Sequence, residues 1–324
     1  MPDTRPQPVP VAVVTGFLGA GKSTFLLHLA RRYGGRRIAW VVNEFSRLDV
    51  DGPWLRGEGL EVTPAPGGSL FCACLASTFR RVMGGLADRA AEGALDGIVV
   101  ETSGLTRPGP VDTMLDEFGL GDRLTVSSLT TLADAATLPV ACDALEAAAL
   151  QIAASDHIVL NKCDTASEEQ IARARALITR LAPGRPIHLT ARAAADLDPL
   201  VPVRGRHDAP GTWAAAADAG VSVVCLERAG TVDARALLSA LEAAGTTLLR
   251  AKGIMNTPEG ALKLDWDGAR IACQTLPAPS EAPGLVLFPR PGQEGPAQNL
   301  LRRLHRGEFD PAAGGGAAKL PASR

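Results

Sequence analysis

Short, nearly unbroken apolar runs alternate with helically spaced stretches from residue 11 to about residue 190. The runs predict strands near 11–15, 37–42, 97–102, 123–132, 157–161 and 186–190, with helices between them. Such alternation predicts an α/β fold, a mostly parallel sheet covered by helices on both faces, with ligand at the carboxyl ends of the strands. After residue 220 the rhythm changes. A strand (VSVVCLE), an Ala/Leu-rich helix at 233–244, and strands near 247–254, 261–265, 269–275 and 284–289 predict a small α+β domain. Residues 191–219 are rich in Ala, Pro, Asp and Arg and read as connecting chain. The expected organisation is therefore a nucleotide domain at 1–195, a connector at 196–219, a C-terminal domain at 220–307 and a disordered Ala/Gly-rich tail at 308–324.

The first apolar run opens the most specific motif. Residues 11–24 read VAVVTGFLGAGKST: a strand, Gly16, four residues, then Gly21, Lys22, Ser23 and Thr24 at a helix start. Gly16, Gly19 and Gly21, with Ala20 between them, let successive backbone N–H groups converge on phosphate oxygens. Lys22 brings a positive charge to the terminal phosphates. The Ser23 hydroxyl is a ligand for Mg²⁺, and the start of the helix faces the same anion. This pattern predicts a P-loop NTPase.

Two later segments specify base and chemistry. At 157–164 the chain reads HIVLNKCD, placing Asn161, Lys162 and Asp164 at a strand end. The Asp164 carboxylate can accept from the ring N–H and the exocyclic amine of guanine, whereas adenine offers an acceptor there, so the tetrad selects GTP. Residues 97–104, GIVVETSG, end a buried strand in Glu101 and Gly104. Glu101 can hold Mg²⁺ and orient the attacking water, and Gly104 can offer its N–H to the terminal phosphate. The plainer alternative is that Glu101 caps a helix near Pro108.

These segments, with VVNEFSRLDVDG at 41–52, QIAASDHIVLNKCD at 151–164 and LLRAKG at 248–253, follow one another as they do in CobW-type GTPases, a family this chain resembles over about residues 10–290. The resemblance implies GTP hydrolysis coupled to delivery of a metal, or a metal-containing cofactor, to a client enzyme. It also implies that Glu44, in the family's Asn-Glu-Phe motif, reaches Mg²⁺ or the transported metal; Glu44 with Asp49 and Asp51 otherwise reads as a solvated acidic loop. The family's Cys-x-Cys-Cys cluster is altered. Here the chain reads PGGSLFCACLAS at 66–77: matched on Cys72 and Cys74, the third position is Leu75, and matched on Gly68, Ser69 and Phe71 replace two cysteines and only Cys72 remains, so Cys72 and Cys74 are the cargo-site candidates. Two thiolates suit Zn²⁺ or a similar thiophilic ion but do not close a tetrahedral site, which then needs ligands from elsewhere in the chain, from a second copy in a homodimer, or from the client. The alternative is that both are small buried hydrophobes.

Composition narrows the classes. The other cysteines, Cys142, Cys163, Cys225 and Cys273, lack ligand spacing and read as packing residues, and the five histidines are scattered. A net charge of −2 in 324 residues gives no electrostatic reason to expect nucleic acid or an anionic membrane as partner. No apolar run approaches the ~20 residues that span a bilayer, and six unpatterned cysteines suit a reducing, cytoplasmic compartment. The expected function is a GTP-hydrolysing, Mg²⁺-dependent metallochaperone. Two rivals remain open on the residues alone: a GTP-dependent switch that remodels a client without carrying metal, and a small-molecule kinase, which the guanine tetrad disfavours.

Overall fold

The computed structural model describes residues 7–43, 62–64, 76–108, 111–204, 224–227, 230–266, 271–280 and 283–311. They form two compact units.

The first unit is a seven-stranded sheet built from β1 (Val9–Gly16), β2 (Ile38–Val42), β3 (Val62–Pro64), β4 (Gly97–Glu101), β5 (Leu124–Asp134), β6 (His157–Asn161) and β7 (Ile187–Leu189). The spatial order is β3-β2-β4-β1-β5-β6-β7 and every neighbouring pair is parallel. Its helices are α1 (Lys22–Arg32), α2 (Ala76–Ala91), α3 (Val111–Glu117), α4 (Leu138–Ala144), α5 (Glu146–Ala153) and α6 (Glu168–Leu181). Strands covered on both faces must be apolar at consecutive positions, as the sequence pattern requires. In β1, Val11 and Val13 join one core with Phe79, Met83 and Leu86 of α2, while Ala12 and Val14 join the opposite core with Phe25, Leu26 and Leu29 of α1. The expected α/β architecture is present, and β3 is an edge strand beside β2 that the sequence pattern had not marked.

Residues 196–204 depart from the expected connector. Leu197 and Leu200 are buried in the α1-side core, and the carbonyl of Pro199 accepts from the hydroxyls of Ser127 and Ser128 at 2.8 and 2.7 Å. Asp196 pairs with Arg32 at 2.9 Å, and Tyr33 donates to Asp198 at 2.5 Å. This polar, Pro-containing stretch is thus strapped across α1 by side-chain bonds that hydrophobic periodicity does not register.

The second unit is an antiparallel sheet of β8 (Val224–Glu227), β9 (Leu248–Thr257), β10 (Gly260–Trp266), β11 (Ile271–Leu276) and β12 (Gly284–Pro289), ordered β11-β10-β9-β12-β8. Helix α7 (Ala234–Ala244) starts at Asp233, whose carboxylate accepts the Ala236 N–H at 2.9 Å. Helix α8 (Glu294–His305) was not expected from the sequence. Its Ala297, Leu300, Leu301 and Leu304 nevertheless follow helical spacing and pack on Leu237, Leu241, Leu285 and Leu287. The tail expected from residue 308 is corrected at its start. Phe309 is 3% exposed in this same core, Arg303 lies over its ring, and its carbonyl accepts the Asp233 N–H at 2.6 Å.

The histidines are not all scattered either. His157 of β6 and His188 of β7 stand with ring centroids 5.6 Å apart. Burial, the neighbouring His188 and Arg185 hold His157 below its ordinary value of 6.5 despite Asp156, and burial lowers His188 despite Asp196.

Two predictions follow from this packing. Phe309→Ala should destabilise the second unit by about 3–5 kcal/mol, read as a lowered denaturant midpoint. The two imidazoles are depressed in the folded state, so their contribution to stability is present above the unfolded-state value and is lost as pH falls below about 6.5. A His157→Phe, His188→Phe pair should flatten the loss of stability between neutral pH and pH 5, measured by urea unfolding across that range.

Candidate functional site

The site lies at the carboxyl ends of β1, β4, β5 and β6. Residues 17–21 leave β1 as a tight loop; Gly16 at the strand's end takes φ of 142°, and Gly19 and Gly21 in the loop take 84° and 104°. Gly21 is the N-cap of α1 and, being glycine, has no side chain to cap it, so the helix start with its first-turn N–H groups directly follows the loop. A Cβ at Gly16 would strike the Leu132 carbonyl, and one at Gly21 would strike the Asn161 amide. Both glycines are therefore fixed by close approach as well as by dihedral. Lys22 folds back over the loop and donates to the Gly16 carbonyl at 2.8 Å. Ala20 is 1% exposed.

Glu101 ends β4 in register with Val14 of β1 and Val42 of β2, and is 4% exposed. The loop after it is tied on several sides. Thr102 donates through its hydroxyl to Thr15 at 2.8 Å, the Ser103 N–H donates to the Asn43 amide oxygen at 3.3 Å, and the Ser103 and Thr106 hydroxyls bond at 2.9 Å. Gly104 lies against the phosphate loop, since a Cβ there would come within 2.6 Å of Leu18. Strand adjacency thus brings the 101–104 segment and the phosphate loop together, as the sequence pattern implied. Glu101 is the last residue of its strand.

At the end of β6, Asn161 is 2% exposed and its side chain serves protein partners. Its amide N–H donates to the Ala20 carbonyl at 2.9 Å, and its oxygen accepts from the Ala193 N–H at 2.6 Å and the Thr190 hydroxyl at 3.2 Å. Lys162 takes φ 60° and pairs with Asp134 at 2.8 Å. Asp164 follows on an exposed turn. The 190–193 turn is a further part of the site that sequence reasoning missed. Arg192 and Ala193 both have positive φ, and the Arg192 carbonyl is 2.9 Å from His28 Nε2 on α1. Non-glycine residues leave no sequence mark of that backbone shape.

The donor set fits the expected ligands. Glycines at positive φ leading directly into a helix start suit a triphosphate, and the Ser23 hydroxyl and Glu101 carboxylate are hard oxygen donors of the kind Mg²⁺ takes. Glu44, Asp49, Asp51, Cys72 and Cys74 lie outside the described residues, and among the described residues no group of three or more His, Cys, Asp or Glu side chains is placed to hold a metal ion. Burial raises the thiols of Cys142, to about 11, and Cys273, and Cys163 donates to the Leu160 carbonyl at 3.2 Å. Cys225 departs from the packing role expected of it, being exposed on β8.

Comparison with known proteins bears on both units. Residues 10–189 match the family model described as CobW/HypB/UreG, nucleotide-binding domain, and residues 221–301 match the cobalamin synthesis protein cobW C-terminal domain. A relative named zinc chaperone CobW, from Pseudomonas aeruginosa, is 32% identical over 52% of this chain and 53% of its own length. The zinc chaperone YjiA of Escherichia coli is 27% identical over 61% of this chain and 63% of its own. The chain thus spans about half the length of the first of these relatives and under two thirds of the second. A crystal structure of the Zn(II)-bound YjiA GTPase from E. coli aligns with a TM-score of 0.45 and 20% identity, covering 91% of this chain and 99% of that one. With a P-loop nucleotide domain at residues 10–189 and the matching C-terminal domain at 221–301, the chain belongs to the CobW/HypB/UreG family.

Proposed function

We propose that this protein is a Mg²⁺-dependent GTPase that acts as a metallochaperone, binding a thiophilic ion such as Zn²⁺ as cargo and passing it to a client metalloenzyme in the cytoplasm. The observation that carries the reading is the Asn161 crosslink, which joins the N-K-x-D turn directly to the phosphate loop. That bond holds the turn carrying Asp164 to the phosphate loop, which supports one nucleotide being bound through its phosphates and its guanine base together.

The roles follow from placement. The backbone of Gly16–Gly21 and the start of α1 bind phosphates. Lys22 exchanges its bond to the Gly16 carbonyl for the terminal phosphates. Asp164 accepts from the guanine edge. Buried Glu101 orients the attacking water and, with Ser23, holds Mg²⁺, which supplies charge neutralisation when bound. Zinc as the cargo is supported by the relatives named zinc chaperones. Cys72 and Cys74 are the proposed thiolate ligands, with Glu44 as a further candidate ligand, completed by a second copy in a homodimer or by the client.

Asp164→Asn should weaken GTP binding by about 1.5–3 kcal/mol and favour xanthine nucleotide, because an amide cannot accept both guanine donors. Calorimetry checks this, and ATP binding the native protein as tightly as GTP would contradict the base assignment. Lys22→Ala should abolish measurable nucleotide affinity, whereas Glu101→Gln should bind GTP normally and slow phosphate release by about 10²-fold or more. Normal turnover in the Glu101 variant removes it from the hydrolytic site.

A further inference from the structure

Gln151 belongs to the QIAASDHIVLNKCD segment, yet neither phosphate binding nor guanine recognition uses it. It sits in α5 and is 1% exposed. Its backbone carbonyl accepts from the hydroxyls of Thr131 at 2.9 Å and Ser155 at 2.6 Å, so its main chain is fixed to β5 and to the end of its own helix. Its side-chain Nε2 donates to the Gly104 carbonyl at 3.3 Å and to the Thr106 carbonyl at 2.8 Å. Arg107 pairs with Glu146 of the same helix. Gly104 also lies against the phosphate loop, since a Cβ there would lie 2.6 Å from Leu18 Cδ2 and 2.9 Å from the Leu18 nitrogen.

Gly104 therefore meets both the phosphate loop and the buried Gln151 amide of α5. Packing alone does not call for an amide, because a leucine fills the same volume. An amide with two N–H groups can donate to both main-chain carbonyls at once, which a leucine cannot. We infer that Gln151 is a positioning residue for hydrolysis, holding Gly104 and Thr106 so that the loop leaving Glu101 keeps its seat on the phosphate loop through turnover. The inference rests on the GTPase reading above.

Gln151→Leu keeps the volume and removes both donors. It should lower kcat for GTP hydrolysis about tenfold while KM and GDP affinity stay within about twofold of native. Amide hydrogen exchange at residues 103–107, read without nucleotide, should accelerate about tenfold while exchange in β1 and β6 does not change. Unchanged exchange there, or native kcat in the folded variant, overturns the positioning role. Absence of hydrolysis by the native chain overturns the GTPase reading instead, and exchange still decides the role of Gln151. Gln151→Glu gives a second test that does not depend on the leucine variant folding. A carboxylate facing two carbonyls repels them, whereas the protonated acid, favoured by burial, donates one bond. Activity of Gln151→Glu relative to native should therefore rise as pH falls. A ratio independent of pH, with native exchange at residues 103–107, overturns the proposal.

Discussion

The side-chain amide of Asn161 is the constraint on which the site's geometry depends. In one buried group it donates to the phosphate loop at Ala20 and accepts from the 190–193 turn, while its amide fills the space a Cβ at Gly21 would need. Three segments distant in sequence are thereby held in one arrangement. A buried amide of this kind loses about 1–3 kcal/mol for each partner left unmade, so any shift of the phosphate loop away from β6 is opposed. The same economy recurs around Glu101, where Thr102, Ser103 and Gln151 bond to Thr15, Asn43 and the loop carbonyls. The site is fixed by buried hydrogen bonds, most of them between a side chain and the main chain, that tie strand ends to one another and to α5.

Parallel topology explains why those ends meet. β1 lies between β4 and β5, with β6 beyond β5, so phosphate loop, Glu101 and Asn161 emerge on one edge of the sheet. The apolar faces of β1 are shared between the α2 and α1 cores, leaving polar chemistry to the carboxyl ends. The order of the strands converts motifs that are 80 and 140 residues apart into neighbours, which sequence spacing alone does not express.

Much of this was legible from local pattern. Unbroken apolar runs mark strands buried on both faces, and Gly16, Gly21, Lys22 and Ser23 have residue types that few other demands produce together. What was not legible depended on partners far along the chain. Residues 196–204 look like linker because Asp196, Asp198 and Pro199 are polar or helix-breaking, and only their bonds to Arg32, Tyr33, Ser127 and Ser128 reveal them as part of the first unit. Helix α8 carries Gly295 and Pro296 in its first turn and four basic residues around its polar face and end, which obscured the spacing of its four core residues. His157 and His188 are 31 positions apart in sequence and meet only through β6–β7 pairing. The 190–193 turn shows no glycine despite its left-handed backbone.

A chaperone driven by GTP requires that nucleotide state and cargo affinity be linked, and linkage between two binding sites is reciprocal. The decisive measurement is the Zn²⁺ affinity of the protein, by competition with a chromophoric chelator under reducing conditions, in the presence of GDP and of a non-hydrolysable GTP analogue. A several-fold difference between the two states, lost in a Cys72→Ala, Cys74→Ala variant that still binds GTP, is the predicted result. Equal affinities in both states, unchanged by removing the two cysteines, would contradict zinc delivery and favour a client switch that carries no metal.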